Sequence, residues 1–223
     1  MQALLQAEDR PLCPSRESLF ASICQDLQGK GFSINPMALP FDMAESLKDY
    51  ALSLQSNDFD PAGIGRADAH TMNAFVRSDE IFWLEGRNPT ESSWLNWANL
   101  LKDYLNRHLY LGLFSFESHI ASYRPGQFYK RHLDAFRGNT NRVLSLVVYL
   151  NPNWQLEDGG ELVLYRDRSD KIGTRITPGF GTVVAFLSEE FPHEVLPASR
   201  DRLSIAGWYS VNRCMGNRLD IPA

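Results

Sequence analysis

The residues best suited to do chemistry lie in one short stretch, residues 123–134, which contains the turn signal Pro125-Gly126 and the pair His132 and Asp134. Side chains two positions apart on an extended strand point to the same face. This spacing therefore predicts an imidazole and a carboxylate side by side, a combination that suits a borderline divalent metal ion. An isolated His-x-Asp is more often a polar pair on the wet face of a strand, so a metal site needs further ligands.

Three residues further along the chain could complete such a site: Tyr149, His193 and Arg202. Two histidines and one carboxylate on a β scaffold can bind one face of an octahedral iron(II), leaving positions for a bidentate cosubstrate and dioxygen. Arg202 begins an alternating strand, and its planar guanidinium can grip a carboxylate, to which the Tyr149 phenol could also donate. Taken singly, each of the three is more often an ordinary structural residue. Their joint order and strand context favour a site.

The elements that must position these residues are helices first and short strands afterwards. Hydrophobic spacing predicts helices over 17–28, 41–55 and 90–108, with short strands at 31–34 and 77–84. After Gly112, turn residues separate candidate strands at 116–123, 127–134, 142–150, 161–165, 174–177, 182–187, 193–195 and 203–211. Many short strands separated by turn residues indicate a sandwich or barrel-like jelly roll.

The predicted organisation is a single α+β domain spanning 1–223. Residues 1–112 form mainly helical support, and residues 113–213 form the β core that carries the chemistry. Residues 57–75 show no period and many turn formers, so we expect a mobile loop or an irregular hairpin there. A loop of this length within a compact domain is usually functional or disordered.

Composition excludes several classes of protein. The net charge of −5 and a pI near 5.5 argue against a nucleic-acid binder. The three cysteines are scattered and odd in number, so neither a disulfide framework nor a zinc site is expected. The N-terminus lacks the pattern of a signal peptide, and no apolar run is long enough to span a membrane. These features predict a cytoplasmic protein with neither nucleic acid nor membrane as a partner.

Several ordered motifs resemble a known family, the iron(II)- and 2-oxoglutarate-dependent oxygenases of the prolyl 4-hydroxylase type. The likeness is strongest to the hypoxia-sensing prolyl hydroxylases and their bacterial relatives, and it runs from about residue 77 to residue 209. The motifs that carry it are Tyr123-Arg-Pro-Gly126, Tyr129-Lys-Arg-His-Leu-Asp134, Tyr149-Leu-Asn151, Asp158-Gly-Gly-Glu-Leu162, and Pro192-His-Glu-Val-Leu-Pro197 leading to Arg202. The resemblance implies a double-stranded β-helix, a distorted jelly-roll core packed against the N-terminal helices.

The resemblance also implies roles for individual residues. The iron ligands would be His132, Asp134 and His193, and with Arg202 they would form the catalytic set. Arg202 and Tyr149 would bind the distal carboxylate of 2-oxoglutarate, while Tyr123 would lie nearer its metal-chelating end. Five further residues match positions that shape the protein-substrate site in the family: Arg77, Asp79, Tyr129, Arg142 and Trp208. The implied cofactors are Fe(2+), the cosubstrates 2-oxoglutarate and O2, and ascorbate.

The function implied in this way is hydroxylation of a prolyl residue in a protein substrate, with release of succinate and CO2. Loop 57–75 would be a lid over the bound peptide, and in a bacterial host the resemblance suggests elongation factor Tu as the partner. One alternative keeps the oxygenase chemistry but acts on a small molecule, a free amino acid or another group such as an alkylated base. A second alternative is a non-catalytic cupin-like sensor, which would have no need of Arg202 and Tyr149.

Overall fold

Three helices flank the β core in the computed structural model, which describes residues 14–62, 76–135, 141–215 and 218–220. Their bounds are Arg16–Lys30 for α1, Phe41–Ser53 for α2 and Pro89–Leu109 for α3. The structure therefore confirms all three predicted helices to within a few residues. None of the described helices has the length and apolar character that a membrane crossing requires.

The ends of α1 follow from its flanking residues. Ser15 caps the first turn by accepting a hydrogen bond from the Ser18 amide at 3.2 Å. The helix passes Gly29, where the sequence predicted its end, and stops at Gly31. Gly31 has a φ of 78°, a left-handed conformation that favours glycine. A Cβ at this position would also lie 2.9 Å from the Phe191 ring, so both the backbone conformation and the available space favour glycine.

The strands form two antiparallel sheets and a terminal hairpin. In chain order they are β1 Phe32–Asn35, β2 Asp60–Pro61, β3 Glu80–Trp83, β4 Leu113–Tyr123, β5 Tyr129–His132, β6 Arg142–Tyr149, β7 Leu162–Leu164, β8 Thr174–Ile176, β9 Val183–Leu187, β10 His193–Val195, β11 Arg202–Val211, β12 Arg213–Met215 and β13 Arg218–Asp220. The large sheet has the order β1-β9-β6-β11-β4-β3-β2, and the small sheet has the order β5-β10-β7-β8. The predicted jelly-roll core is confirmed, while the β12–β13 hairpin was not predicted.

The two faces of the large sheet have different partners. Leu144, Leu146 and Val148 of β6 belong to a hydrophobic cluster that also contains the buried residues of the three helices. Tyr149 belongs to a second cluster, which joins the large sheet to Leu162 and Leu164 of the small sheet. Because side chains alternate along a strand, Ser145, Val147 and Tyr149 of β6 face the space between the sheets. The candidate site residues lie in that space.

The region predicted as loop 57–75 begins with ordered structure. Residues Ser56–Asp58 form a 3-10 turn, and the following strand β2 pairs antiparallel with β3 at Asp60↔Ile81. This ordered part fits the irregular hairpin and not the mobile loop, because β2 extends the edge of the large sheet. The rest of the expected lid, residues 63–75, lies outside the described residues.

Candidate active site

The three predicted metal ligands meet between the sheets. His132 of β5 and His193 of β10 are direct cross-strand partners, and their ring centroids are 4.2 Å apart. The Asp134 carboxylate lies beside both rings, with Oδ1 3.5 Å from His132 Nε2 and Oδ2 3.6 Å from His193 Nε2. One ligand atom from each residue lies within 4.8 Å of the other two, which is the grouping that a single metal ion needs.

The strand predicted to carry both His132 and Asp134 is shorter than expected. β5 ends at His132, and Asp134 lies in a bend beyond it, so the two side chains do not share one face of a strand. β5 ends where its partner strand does, since His132 pairs with His193, the first residue of β10. The prediction of proximity was right, although its stated geometric reason was not.

Backbone hydrogen bonds orient both histidines. His132 Nδ1 lies 2.8 Å from the Lys130 carbonyl oxygen, and His193 Nδ1 lies 3.1 Å from the Phe191 carbonyl oxygen. A carbonyl oxygen only accepts, so in the neutral form of each ring Nδ1 carries the proton and Nε2 offers its lone pair. Both Nε2 atoms point toward Asp134. Two such nitrogens and a carboxylate oxygen fit iron(II) well.

The electrostatics of the cluster favour the protonation states that metal ligands require. Burial alone would raise the pKa of Asp134, but His193, His132 and the Ser145 hydroxyl outweigh burial and hold that pKa well below its usual range. Burial and the neighbouring His132 lower the pKa of His193 to about 4. At neutral pH the carboxylate is therefore ionised and the His193 ring is neutral, as metal binding demands.

Arg202 is a buried cation on the opposite side of the same space. It is 2% exposed, and no carboxylate of the described residues forms an ion pair with it. Its Nε donates to the Gly160 carbonyl oxygen at 2.9 Å, and Nη1 donates to Ser204 Oγ at 3.2 Å. These neutral acceptors leave the charge uncompensated, and an unpaired buried charge is strongly unfavourable. The site therefore fits an anionic ligand.

Tyr149 and Tyr123 flank this guanidinium, whose carbon lies 5.0 Å from the centroid of each ring. The Tyr149 hydroxyl is buried and has no hydrogen-bond partner within the described part of the chain. Burial raises the pKa of Tyr149 to about 12, so the hydroxyl remains a donor at neutral pH. An orphaned donor beside an unpaired guanidinium is the arrangement that a ligand carboxylate, such as the distal one of 2-oxoglutarate, would satisfy.

Arg77, Asp79 and Tyr129 form a connected group next to the histidines. Arg77 donates two hydrogen bonds to the Asp79 carboxylate, at 2.7 and 2.9 Å, and its guanidinium carbon lies 4.6 Å from the Tyr129 ring centroid. Tyr129 in turn stacks on His132, with ring centroids 3.5 Å apart. Asp79 is buried, so its carboxylate holds Arg77 in place and is not itself presented to a substrate.

Arg142 and Trp208 form the second part of the predicted substrate side. The Arg142 guanidinium lies 3.8 Å from the Trp208 ring centroid and donates to Glu117 at 2.7 and 3.0 Å. Sequence reasoning missed His119, whose ring lies between Trp208, at 5.4 Å, and Trp83, at 5.2 Å. His119 and Tyr123 are four residues apart on β4, and this even spacing was the signal that could have placed both on the same face of the strand.

Comparisons with known proteins agree with this geometry. Residues 118–210 match the family described as the 2OG-Fe(II) oxygenase superfamily. A prolyl-4-hydroxylase from Pseudomonas putida has the same fold with a TM-score of 0.77, at 37% sequence identity over 86% of this chain and 98% of that one. The chain belongs to the 2OG-Fe(II) oxygenase superfamily, among its prolyl hydroxylases.

Other members of this family show the same likeness. A prolyl hydroxylase from Trichoplax adhaerens, solved with a hypoxia inducible factor peptide fragment, has a TM-score of 0.77 at 27% identity, covering 87% of this chain and 90% of that one. Human Egl nine homolog 1 is 32% identical over 144 residues, which is 60% of this chain and 33% of the human protein. The chain thus spans about a third of the length of that curated relative. The matched residues 118–210 of the oxygenase family include the His132, Asp134 and His193 cluster and Arg202.

Proposed function

We propose that this oxygenase is an iron(II)- and 2-oxoglutarate-dependent dioxygenase that hydroxylates a prolyl residue in a protein substrate. The observation that carries the proposal is the buried Arg202, without a carboxylate partner among the described residues, in the same space as a metal-binding His132, Asp134 and His193 cluster. A plain metal-binding module has no use for such a cation. The relatives named above, which are prolyl hydroxylases, support a prolyl substrate.

Each residue of the site has a defined task in this proposal. His132, Asp134 and His193 would hold the iron, while Arg202 and Tyr149 would bind the distal carboxylate of 2-oxoglutarate and Tyr123 would lie nearer its other end. Iron and 2-oxoglutarate, when bound, supply the chemistry that activates dioxygen, with release of succinate and CO2. The protein itself fixes the geometry and limits the access of water, since Tyr123, Tyr149, His193 and Arg202 are buried between the sheets and His132 and Asp134 are half-buried.

The substrate side of the proposal rests on the residues around the histidines. Tyr129 stacks on His132 and Arg77 lies over the Tyr129 ring, while the half-buried Arg142 covers the Trp208 ring and would meet an extended peptide. Residues 57–75 would cover that peptide. The Trichoplax relative was solved with a peptide fragment, which supports a peptide here.

The finer parts of the proposal concern the partner and the setting. We propose a proline-containing protein of the cytoplasm, with elongation factor Tu as the first candidate if the host is bacterial. Ascorbate would serve as an additional cofactor. The acidic net charge of −5 is consistent with a protein partner and gives no support for nucleic acid.

The test is a search for hydroxylated proline. Purified protein, iron(II) and 2-oxoglutarate are incubated with proline-containing peptides, with elongation factor Tu and with a host-cell protein extract, and mass spectrometry locates any added oxygen atom. We expect a prolyl residue to gain one oxygen atom with the wild type and with His108→Ala, an exposed histidine on α3, but not with His132→Ala. Turnover of 2-oxoglutarate that rises with a small metabolite and ignores every prolyl substrate would refute the proposal.

A further inference from the structure

Two buried serines lie behind the carboxylate of the metal cluster. Ser145 of β6 is 1% exposed and donates from Oγ to Asp134 Oδ2 at 2.7 Å. Ser188, which follows β9 and is 0% exposed, places its Oγ 2.9 Å from Ser145 Oγ. The Ser188 backbone is fixed as well, because its amide donates to the Val143 carbonyl oxygen at 3.0 Å. Neither serine belongs to the metal ligands or to the residues that face 2-oxoglutarate.

The direction of these two hydrogen bonds follows from the donors available. An ionised carboxylate only accepts, so the single proton of the Ser145 hydroxyl must point to Asp134. Ser145 Oγ then has only lone pairs to offer to Ser188, and the Ser188 hydroxyl must be the donor in the second bond. The chain of donation runs from Ser188 to Ser145 to Asp134. Hydrogen bonds in such a chain polarise and strengthen one another.

The chain of hydrogen bonds from Ser188 through Ser145 reaches Oδ2 of Asp134 and does not reach Oδ1. Both carboxylate oxygens lie near a histidine nitrogen, Oδ1 at 3.5 Å from His132 Nε2 and Oδ2 at 3.6 Å from His193 Nε2. Nothing in these distances prevents the carboxylate from binding an ion through both oxygens. The Ser145 hydrogen bond breaks this symmetry, because it occupies a lone pair of Oδ2 alone.

We propose that Ser145, supported by Ser188, is a positioning residue that holds Asp134 as a ligand through one oxygen and so keeps a coordination position open. The inference rests on the proposed function. Two imidazoles and one carboxylate oxygen fill three of the six positions of an octahedral ion, leaving three for a chelating cosubstrate and dioxygen. A carboxylate that bound through both oxygens would fill a fourth and would compete with 2-oxoglutarate.

The chain offers a matched control for a purely structural role. Ser33 of β1 is also a buried strand serine that donates to an aspartate, with Oγ 2.8 Å from Asp26 Oδ2. Asp26 lies on α1, on the side of the large sheet that faces the helices, so this bond has no contact with the metal cluster. Ser33→Ala thus removes a comparable hydrogen bond without touching the site.

The experiment uses cobalt(II) as a metal probe and 2-oxoglutarate as the ligand, with Ser145→Ala, Ser145→Thr, Ser188→Ala and Ser33→Ala variants. We expect Ser145→Ala to bind cobalt but to show an altered visible absorption spectrum, which reports coordination number. Its affinity for 2-oxoglutarate in the cobalt-loaded state should fall about tenfold, an effect typical of residues behind metal ligands. Ser145→Thr keeps a hydroxyl and should restore both, Ser188→Ala should show a smaller change in the same direction, and Ser33→Ala should show none.

The outcomes separate the two proposals. If the wild type binds no cobalt, the proposed function fails. If the wild type binds cobalt and 2-oxoglutarate, but Ser145→Ala has the same spectrum and the same 2-oxoglutarate affinity, the positioning role is overturned and the proposed function stands. A melting temperature for each variant shows whether the fold is intact. Ser188→Ala tests the positioning role independently, because this variant weakens the support of Ser145 but keeps the Ser145 hydroxyl.

Discussion

At the scale of single residues, Arg202 gives the sharpest prediction. Arg202→Lys keeps the charge but loses the planar fork, so 2-oxoglutarate binding to the manganese-loaded protein should weaken by about 1.5–3 kcal/mol, roughly ten- to a hundredfold. Isothermal titration calorimetry measures this loss. Arg200→Ala is the control, since Arg200 is exposed and its contacts with Asn153, Asp158 and the Trp154 ring do not involve Arg202 or the metal cluster. An unchanged affinity in Arg202→Lys would mean that the distal carboxylate binds elsewhere.

The histidines make a second prediction at this scale. His132→Ala removes one of three ligands, so metal affinity should fall by at least about a hundredfold, because the remaining pair no longer completes a face of the ion. Titration of the metal-free protein with manganese(II), followed by electron paramagnetic resonance, measures the free ion directly. His108→Ala should bind manganese like the wild type. If His132→Ala also did so, the metal would have to bind outside the cluster.

The sequence singled out candidate metal and cosubstrate residues that the structure brings together, but it did not single out the residues that support them. His132, Asp134, His193 and Arg202 are recognisable because their types are rare in such an order. Ser145 and Ser188 could not be found in the same way, because a serine on a strand carries no chemical signature. Only the three-dimensional structure places a serine of β6 behind an aspartate that follows β5.

At the scale of elements, the start of α3 depends on one buried carboxylate. Glu91 Oε2 accepts from the amides of Glu85, Gly86 and Arg87 at 2.8–3.0 Å, and Oε1 accepts from the Tyr50 hydroxyl at 2.6 Å. Burial alone would raise the pKa of Glu91, but these hydrogen bonds outweigh it and lower that pKa. The carboxylate therefore joins α2, α3 and the loop between β3 and α3.

Glu91→Gln should lower the free energy of unfolding by about 2–3 kcal/mol at neutral pH, because the amide presents a donor to groups that are themselves donors. A group whose pKa is lowered by folding stabilises the protein above its unfolded pKa, about 4.3 for Glu. The difference between wild type and variant should therefore shrink as the pH falls below about 4.

Urea unfolding at several pH values measures the Glu91 effect. Glu45→Gln is the control, since it removes only a surface pair with Lys48 and should cost less than about 1 kcal/mol. A Glu91→Gln difference that stayed constant down to low pH would show that the charge is not the cause.

The ends of an element were predictable where neighbouring residues in the chain determine them, and not where pairing with another strand determines them. A glycine is a local signal for the end of α1, and the predicted end at Gly29 lies only two residues before the left-handed Gly31 where the helix stops. Strand β5 ends early because its partner β10 is only three residues long, and strand β2 exists because β3 offers an edge to pair with. Such lengths depend on neighbours distant in the chain, which hydrophobic periodicity does not reveal.

At the scale of the whole molecule, the candidate residues for the metal and for the distal carboxylate of 2-oxoglutarate lie on different sheets. His132 and His193 belong to the small sheet, whereas Arg202 and Tyr149 belong to the large one. Metal alone would tie together β5, β10 and the Asp134 bend. The cosubstrate, which would contact the metal at one end and Arg202 at the other, would connect the two sheets of the core. Its binding should therefore stabilise the entire fold.

This stabilisation can be measured by thermal unfolding of the manganese-loaded protein with either 2-oxoglutarate or pyruvate. Ligand at about a hundred times its Kd adds about 2.7 kcal/mol, which corresponds to a rise in Tm of roughly 5–10 °C for a chain of this size. We expect that rise with 2-oxoglutarate in the wild type and a smaller one in Arg202→Lys. Pyruvate has the same chelating end but no distal carboxylate, so at an equal concentration it should add little beyond the metal. If pyruvate raised the Tm as much as 2-oxoglutarate, the ligand would not connect the sheets through Arg202.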